Sequence, residues 1–213
     1  GDHTIQAKTS NVSAVSFDFG VGARMLNPAS KVTVVLDGQT LTAAGPLTDG
    51  AWNAHFRKTA GKWAIAGDDL NTLRKRHDLQ GPIDDAFFDS FLMVSPTGTP
   101  MNETVGNWTK SEEAHAIKMW RTQMRGDAPV KNDTDVTDAD IAASNLVLWG
   151  DPQSNRILAR IADKLPIRWT SDSVTLGDRK FAAATNAPIL IYPNPLNPKK
   201  YVVINSGMTM RAY

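Results

Sequence analysis

A chain of 213 residues with a net charge of +1 and no cysteine is bounded before any pattern is read. The length allows one large domain or two small ones, and it buries roughly 70% of the unfolded surface, so no staples are needed. The missing thiol excludes disulfides, thiol catalysis and cysteine-based zinc sites, and the balanced charge gives nucleic acid no concentrated basic face.

The first third has strand periodicity. Thr4–Thr9, Val12–Phe19 and Lys31–Leu36 are short runs rich in β-branched residues. In the second run Val15, Phe17 and Phe19 share one face. Asp37–Gly38 joins VTVVL to QTLTA, and such a pair predicts a two-residue hairpin, because both turn positions need positive φ. A second hairpin is expected from His55–Lys58 and Lys62–Ala66 across Thr59–Ala60–Gly61. Together these predict a small β-sandwich over residues 1–67.

Residues 68–81 are polar, contain the basic cluster Arg74–Lys75–Arg76–His77, and read as a linker. From there the period changes. Ala86–Val94 reads as a continuous apolar strand ending in the turn Ser95–Pro96–Thr97–Gly98. Ser111–Arg125 reads as a helix with Glu112 and Glu113 at its positive end and Ile117, Trp120 and Met124 on one face. Thr137 and Asp140 predict a capped helical turn over Thr137–Ala143.

Ser144–Trp169 then reads as strand, turn, amphipathic helix and strand. Leu146–Trp149 is apolar, Ile157, Leu158, Ile161 and Leu165 form the helix stripe, and Pro166 ends the helix. Gly177–Asp178 predicts a hairpin between Ser173–Leu176 and Lys180–Ala182. Pro188–Tyr192 and Tyr201–Asn205 are two more strands, and Pro193–Lys199 between them cannot be helix or sheet interior. The expected fold class is therefore α/β: an N-terminal β-sandwich, then a three-layer α/β domain over residues 82–213 with a mainly parallel sheet.

The runs LRKRHDLQGPIDDAFFDSFLMVSPTG, NLVLWGDPQSNRILARIADKLPIRW and PILIYPNPLNPKKYVVINSG resemble the C-terminal region of large secreted bacterial proteins of the prolyl-oligopeptidase-like, α/β-hydrolase-associated kind. The resemblance covers about Val32–Tyr213. It implies an accessory module whose catalytic serine, histidine and acid lie in a separate upstream domain, and a secreted or periplasmic location. It also implies as partner that upstream catalytic domain of the same polypeptide, or a polymeric substrate. The opening GDHTIQ reads as an engineered start or a cut inside a longer polypeptide. No apolar run approaches the roughly 18–20 residues of a membrane span, and nothing at the N-terminus reads as a signal peptide.

The residues offer little chemistry of their own. No G-x-S-x-G elbow is present; Ser95 is followed by Pro96, and Ser206 sits in Asn205–Ser206–Gly207. The histidines are His3, His55, His77 and His115, and only His115 falls inside the α/β part. Gly150–Asp151–Pro152–Gln153–Ser154–Asn155 has one glycine and a carboxylate where a dinucleotide site needs several glycines. Free amides at Ser154, Asn155 and Arg156 would still suit a carboxylate or a sugar hydroxyl. Asn132–Asp140 is acidic but lacks the glycine and glutamate of a calcium loop, and reads as solvated. Asp84, Asp85 and Asp89 form a second acidic group. No metal or cofactor is expected.

Of the six tryptophans, Trp120 and Trp149 fit core positions, whereas Trp52 and Trp108 sit in polar, loop-like sequence where an exposed platform for carbohydrate would lie; the plain alternative for each is core or hinge packing. Tyr192, Asn194 and Asn197 suggest another polar-aromatic surface. If the strands are parallel, the turns Ser95–Gly98, Gly150–Asn155 and Tyr192–Asn197 share one rim. The candidate ligand or interaction site is then Ser95, Thr97, Asp151, Ser154, Asn155 and Asn194. The plain alternative is that these residues only cap and turn the chain. Function is expected to be that of a non-catalytic accessory module; the rival is a small standalone hydrolase with a site at the strand ends.

Overall fold

The computed structural model describes residues 4–23, 25–27, 30–67, 73–75 and 79–209. The chain divides into two compact units, Gly1–Asp69 and Leu70–Tyr213.

The first unit holds two three-stranded sheets. In one, β1 (Thr4–Ala7) pairs in parallel with β3 (Val32–Leu36), which turns back into β4 (Gln39–Ala43). In the other, β2 (Ala14–Phe19) pairs with β5 (Trp52–Thr59), which turns into β6 (Lys62–Ala66). Both hairpins form at the expected pairs, with φ of 50° and 85° at Asp37–Gly38 and 49° and 79° at Ala60–Gly61. The sheets share one core: Val32, Val34 and Leu36 from the first meet Trp52, Phe56 and Trp63 from the second. Val15, Phe17 and Phe19 pack against that core as their alternation predicts. Trp52 corrects the sequence reading. It is buried and donates Nε1–H to the Ala44 carbonyl at 2.7 Å, so it is no platform.

Asp37 ties this unit together. Its carboxylate accepts from Lys58 Nζ and Trp63 Nε1, both at 2.9 Å, and from the backbone amide and hydroxyl of Thr9 at 2.6 and 2.8 Å. These bonds, that of Lys58 foremost, hold the carboxyl well below the usual carboxylate range. A lowered pKa stabilises the folded state above the unfolded carboxylate pKa of about 4, and that stabilisation is lost as pH falls toward the folded value. Asp37→Asn should therefore lower the melting temperature at neutral pH and flatten its fall below about pH 4. Parallel acid-melting curves for variant and parent would refute this role.

The second unit is built on a five-stranded sheet in the order β13-β14-β9-β7-β8. Its strands are β7 (Phe91–Ser95), β8 (Val130–Asn132), β9 (Asn145–Leu148), β13 (Leu190–Asn194) and β14 (Asn197–Ile204). The pairs β7–β8, β7–β9 and β9–β14 are parallel, while β13 runs antiparallel along β14. Alternation sends Leu92, Val94, Leu146, Leu148, Val202 and Ile204 to one face, with α2 (Asp138–Ala143) and α3 (Arg156–Ile161) packed on it. Met93, Val147, Trp149 and Val203 point to the other, where α1 (Glu103–Met124) and the 3-10 turn Ile83–Phe87 lie. Three short strands, β10 (Arg168–Trp169), β11 (Ser173–Leu176) and β12 (Arg179–Ala182), make a separate antiparallel sheet.

This overturns the expected fold class. Fourteen strands in four small sheets stand against three α-helices among the described residues, and the largest sheet is mixed. The chain is not a sandwich followed by a three-layer α/β domain with a mainly parallel sheet. The decisive segment is Ile167–Trp169. After α3 it leaves the main sheet, so Ser144–Trp169 is no parallel crossover unit. Arg168 is exposed and Trp169 only half-buried, whereas a strand inside a parallel sheet must be apolar on both faces.

Other boundaries move for local reasons. Ile83–Phe87 closes into a 3-10 turn, with Asp85 N bonded to Pro82 O, so the strand starts at Phe91 rather than Ala86. Helix α1 begins at Glu103, so Glu112 and Glu113 lie in its middle. Pro193–Lys199 forms the tip of the β13–β14 hairpin, with Pro193 opposite Tyr201. Proline is admitted there because β13 is an edge strand. The end of the expected linker belongs to the second unit: Leu79 is buried in its core, and the Gly81 amide donates to Tyr201 Oη at 3.0 Å. Arg76 and His77 lie outside the described residues, as does His3. Among the described residues no helix is long and apolar enough to cross a membrane.

Candidate functional site

Strands β7, β9 and β14 run the same way, so Ser95, Trp149 and Asn205 follow their carboxyl ends on one rim. The turns Ser95–Gly98 and Gly150–Asn155 do meet there, since the Gly98 amide donates to Ser154 O at 2.8 Å. Gly150 has φ of 98°, and a Cβ on it would stand 2.5 Å from Ser154 Oγ. Only glycine fits that position.

The polar groups of Asp151, Ser154 and Asn155 are consumed by the fold, whereas the buried Asp133 Oδ1 and Trp149 Nε1 have no partner among the described residues. Asp151 Oδ1 accepts from the amides of Gln153 and Ser154, both at 2.9 Å, and its Oδ2 accepts from the Met101 amide at 2.9 Å. Ser154 Oγ accepts from the Asp151 amide at 2.9 Å. Asn155 is the hub. Its Nδ2 donates to Trp149 O at 2.9 Å and Val94 O at 3.2 Å, and its Oδ1 accepts from the amides of Ile157 and Leu158 at 3.0 and 3.1 Å. It thus ties the ends of two strands to the start of α3. All three residues are buried.

The amides expected to be free are not. Asn155 N bonds to Asp151 O at 2.9 Å, and Arg156 N donates to Asp133 Oδ2 at 2.6 Å. The carboxylate that suits a helix start comes from the chain itself. Asp133 is buried, which corrects the reading of Asn132–Asp140 as a solvated loop. Thr137 and Asp140 do form the predicted capping box. The other acidic group is dispersed: Asp84 accepts from Thr209, Asp85 from Tyr201 and Asp89 from Lys200.

Thr97 stands exposed at the same rim. Asn194 does not join it. The β13–β14 tip lies at the amino end of β14, where Asn197 Nδ2 donates to Ile141 O at 3.0 Å and Tyr201 N to Asn145 Oδ1 at 2.8 Å. That is the opposite end of the sheet, and Asn194 is fully buried there, its Oδ1 accepting from the Leu196 amide at 2.9 Å. The antiparallel course of β13 is the reason. Three turns share one rim only if all their strands are parallel. Tyr192 is half-buried against the core, and Asn197 is half-buried with its Nδ2 bonded to Ile141 O.

Two residues of the rim escaped the sequence reading. Asn205, with φ of 51°, exchanges bonds with Gly150: its Oδ1 accepts from Gly150 N at 2.9 Å and its Nδ2 donates to Gly150 O at 3.0 Å. Glu113, on the buried side of α1, accepts a 2.5 Å hydrogen bond from Ser95 Oγ. Burial pushes the Glu113 carboxyl above the usual range, and the Ser95 hydroxyl partly opposes this. The signal that would have found Glu113 is its spacing from Ile117 and Trp120 on the inward face of α1. His115 is exposed on α1, and His55 bonds Ser16 Oγ at 2.7 Å in the first unit.

No protein-family model matches this chain, and no curated protein is significantly similar to it.

Proposed function

We propose that this chain is a non-catalytic interaction module of an exported, hydrolase-like protein, acting beside an upstream catalytic domain or on a polymeric substrate. The observation that carries this reading is the commitment of the strand-end rim to structure. Asp151, Ser154, Asn155 and Asn205 are buried and bonded to backbone that they hold in place. A catalytic rim keeps such groups facing a substrate. The resemblance of the three long runs supplies the hydrolase context and the exported location.

The Ser95–Glu113 bond favours the rival, a standalone hydrolase, because it pairs a hydroxyl with a possible base at a strand end. Acyl transfer also needs donors for the developing oxyanion, usually including the amide after the nucleophile. Here that residue is Pro96, which has no N–H, and the Gly98 amide is taken by Ser154 O. The expected result is no covalent adduct with a fluorophosphonate probe and no ester turnover above a Ser95→Ala control. An adduct mapped to Ser95 or Ser206 would overturn the non-catalytic reading.

A further inference from the structure

Away from the rim, the second unit has a cleft whose polar groups are not spent on the fold. Thr104, Val105 and Trp108 of α1 face the segment Thr185–Ile189 across a cleft of about 410 Å³. Trp108 is 37% exposed there and Ile189 52%. Asn186 is held in place, its Nδ2 donating to Ala182 O at 2.9 Å and to Thr185 Oγ1 at 3.1 Å. That leaves its carbonyl oxygen as an acceptor. Among the described residues nothing bonds Trp108 Nε1 or Thr104 Oγ1.

We propose that this cleft binds pyranose units of a neutral polysaccharide, with Trp108 as the stacking platform. The inference rests on the reading of the chain as a binding module and names its ligand class. A pyranose presents an apolar C–H face and a rim of hydroxyls. An exposed indole takes the face, and the indole N–H, a threonine hydroxyl and a fixed amide carbonyl take hydroxyls. The volume is within the range of small-ligand clefts. No residue lining it is charged, which disfavours phosphate, sulfate and uronate ligands. Nor does it hold the pair of carboxylates that glycoside cleavage uses, so binding without hydrolysis is expected. The adjoining groove of about 330 Å³ shares Asn186 and Ile189 with this cleft, but its other walls, Val174, Leu176, Phe181 and Leu190 among them, are apolar and hold no tryptophan.

The test is calorimetric titration of the 213-residue chain with cellohexaose, xylohexaose, maltohexaose and chitohexaose, against W108A, W108F and T104V. At least one oligosaccharide should bind. W108A should weaken it about tenfold or more, W108F less, and T104V about threefold, with far-UV circular dichroism and melting temperature unchanged. Binding by none of the four, or equal binding by parent and W108A, overturns the assignment and leaves the non-catalytic reading standing. A phage-displayed peptide retained by the parent and lost by W108A, without sugar binding, overturns it in favour of a peptide groove. Ester turnover by the chain would count against the proposed function alone. T104V decides the matter if W108A does not fold.

Discussion

Asn155→Ala should cost the second unit about 3–5 kcal/mol, the largest effect expected of any single substitution on the rim. The side chain is completely buried and makes four hydrogen bonds. Alanine leaves the Trp149 carbonyl and two helix-start amides without their partner, in a place water does not reach, while Val94 O keeps the Trp149 amide at 3.1 Å. Each buried orphan costs about 1–3 kcal/mol, although relaxation of α3 recovers part of the sum. Asn155→Asp separates the two halves of the role. It keeps the acceptor for Ile157 and Leu158, but sets a buried carboxylate against the carbonyls of Val94 and Trp149. At neutral pH it should be at least as damaging as alanine, and acidification toward the carboxyl pKa should restore part of the loss. Urea unfolding of the three proteins at two pH values measures both effects. A loss below about 1 kcal/mol for Asn155→Ala would show that this hub is not what holds the strand ends to α3.

Ile161→Ala should destabilise the same unit by about 2–5 kcal/mol. Ile161 is fully buried and packs with Ile157 and Leu158 against the sheet face formed by Leu146, Leu148 and Ile204. Removing its outer carbons forfeits their transfer energy and leaves a void that rigid strands cannot close. Ile161→Val removes one methylene and should cost only about 0.5–1.5 kcal/mol. That ordering separates a packing effect from a helix-propensity effect, because valine is the poorer helix former of the two replacements. A valine variant as unstable as the alanine one would point to propensity. Denaturant midpoints with unchanged m-values would make the comparison clean.

The features legible in the residues are those whose cause lies within a few positions. Asp37–Gly38, Ala60–Gly61 and Gly177–Asp178 turn the chain because the backbone there can take the required dihedrals, whatever the neighbours. Thr137 with Asp140 caps α2 because the two groups are three residues apart. The stripe of Ile157, Leu158 and Ile161 faces inward because helical period and burial coincide. Helix α1 shows the limit. Gly106 and the β-branched Thr104 and Val105 hide its first turns from propensity. Tertiary bonds hold its start: Met101 N to Asp151 and Asn102 Nδ2 to Ser171 O at 3.0 Å.

The sequence by itself therefore determined the hairpins, the cap and the buried helix face, but of the two tryptophans it marked as exposed, Trp108 is and Trp52 is not. Only the tertiary structure decided which sheet each strand enters, and with it the architecture. Arg168–Trp169 and Leu190–Asn194 carry too few residues to specify a partner, so the choice falls to contacts far along the chain. It also decided the fate of the polar rim. Whether Asp151, Asn155 and Asp133 face a ligand or the backbone depends on which carbonyls and amides arrive beside them. The Asx turn of Asp151 and the cap of Asn155 are local, to Gln153, Ser154, Ile157 and Leu158, whereas the Met101 amide, the Val94 carbonyl and the bond of Asp133 to the Arg156 amide come from far along the chain. Strand pairing is non-local in its cause, and the antiparallel course of β13 alone sends Asn194 to the opposite end of the sheet from Asn155.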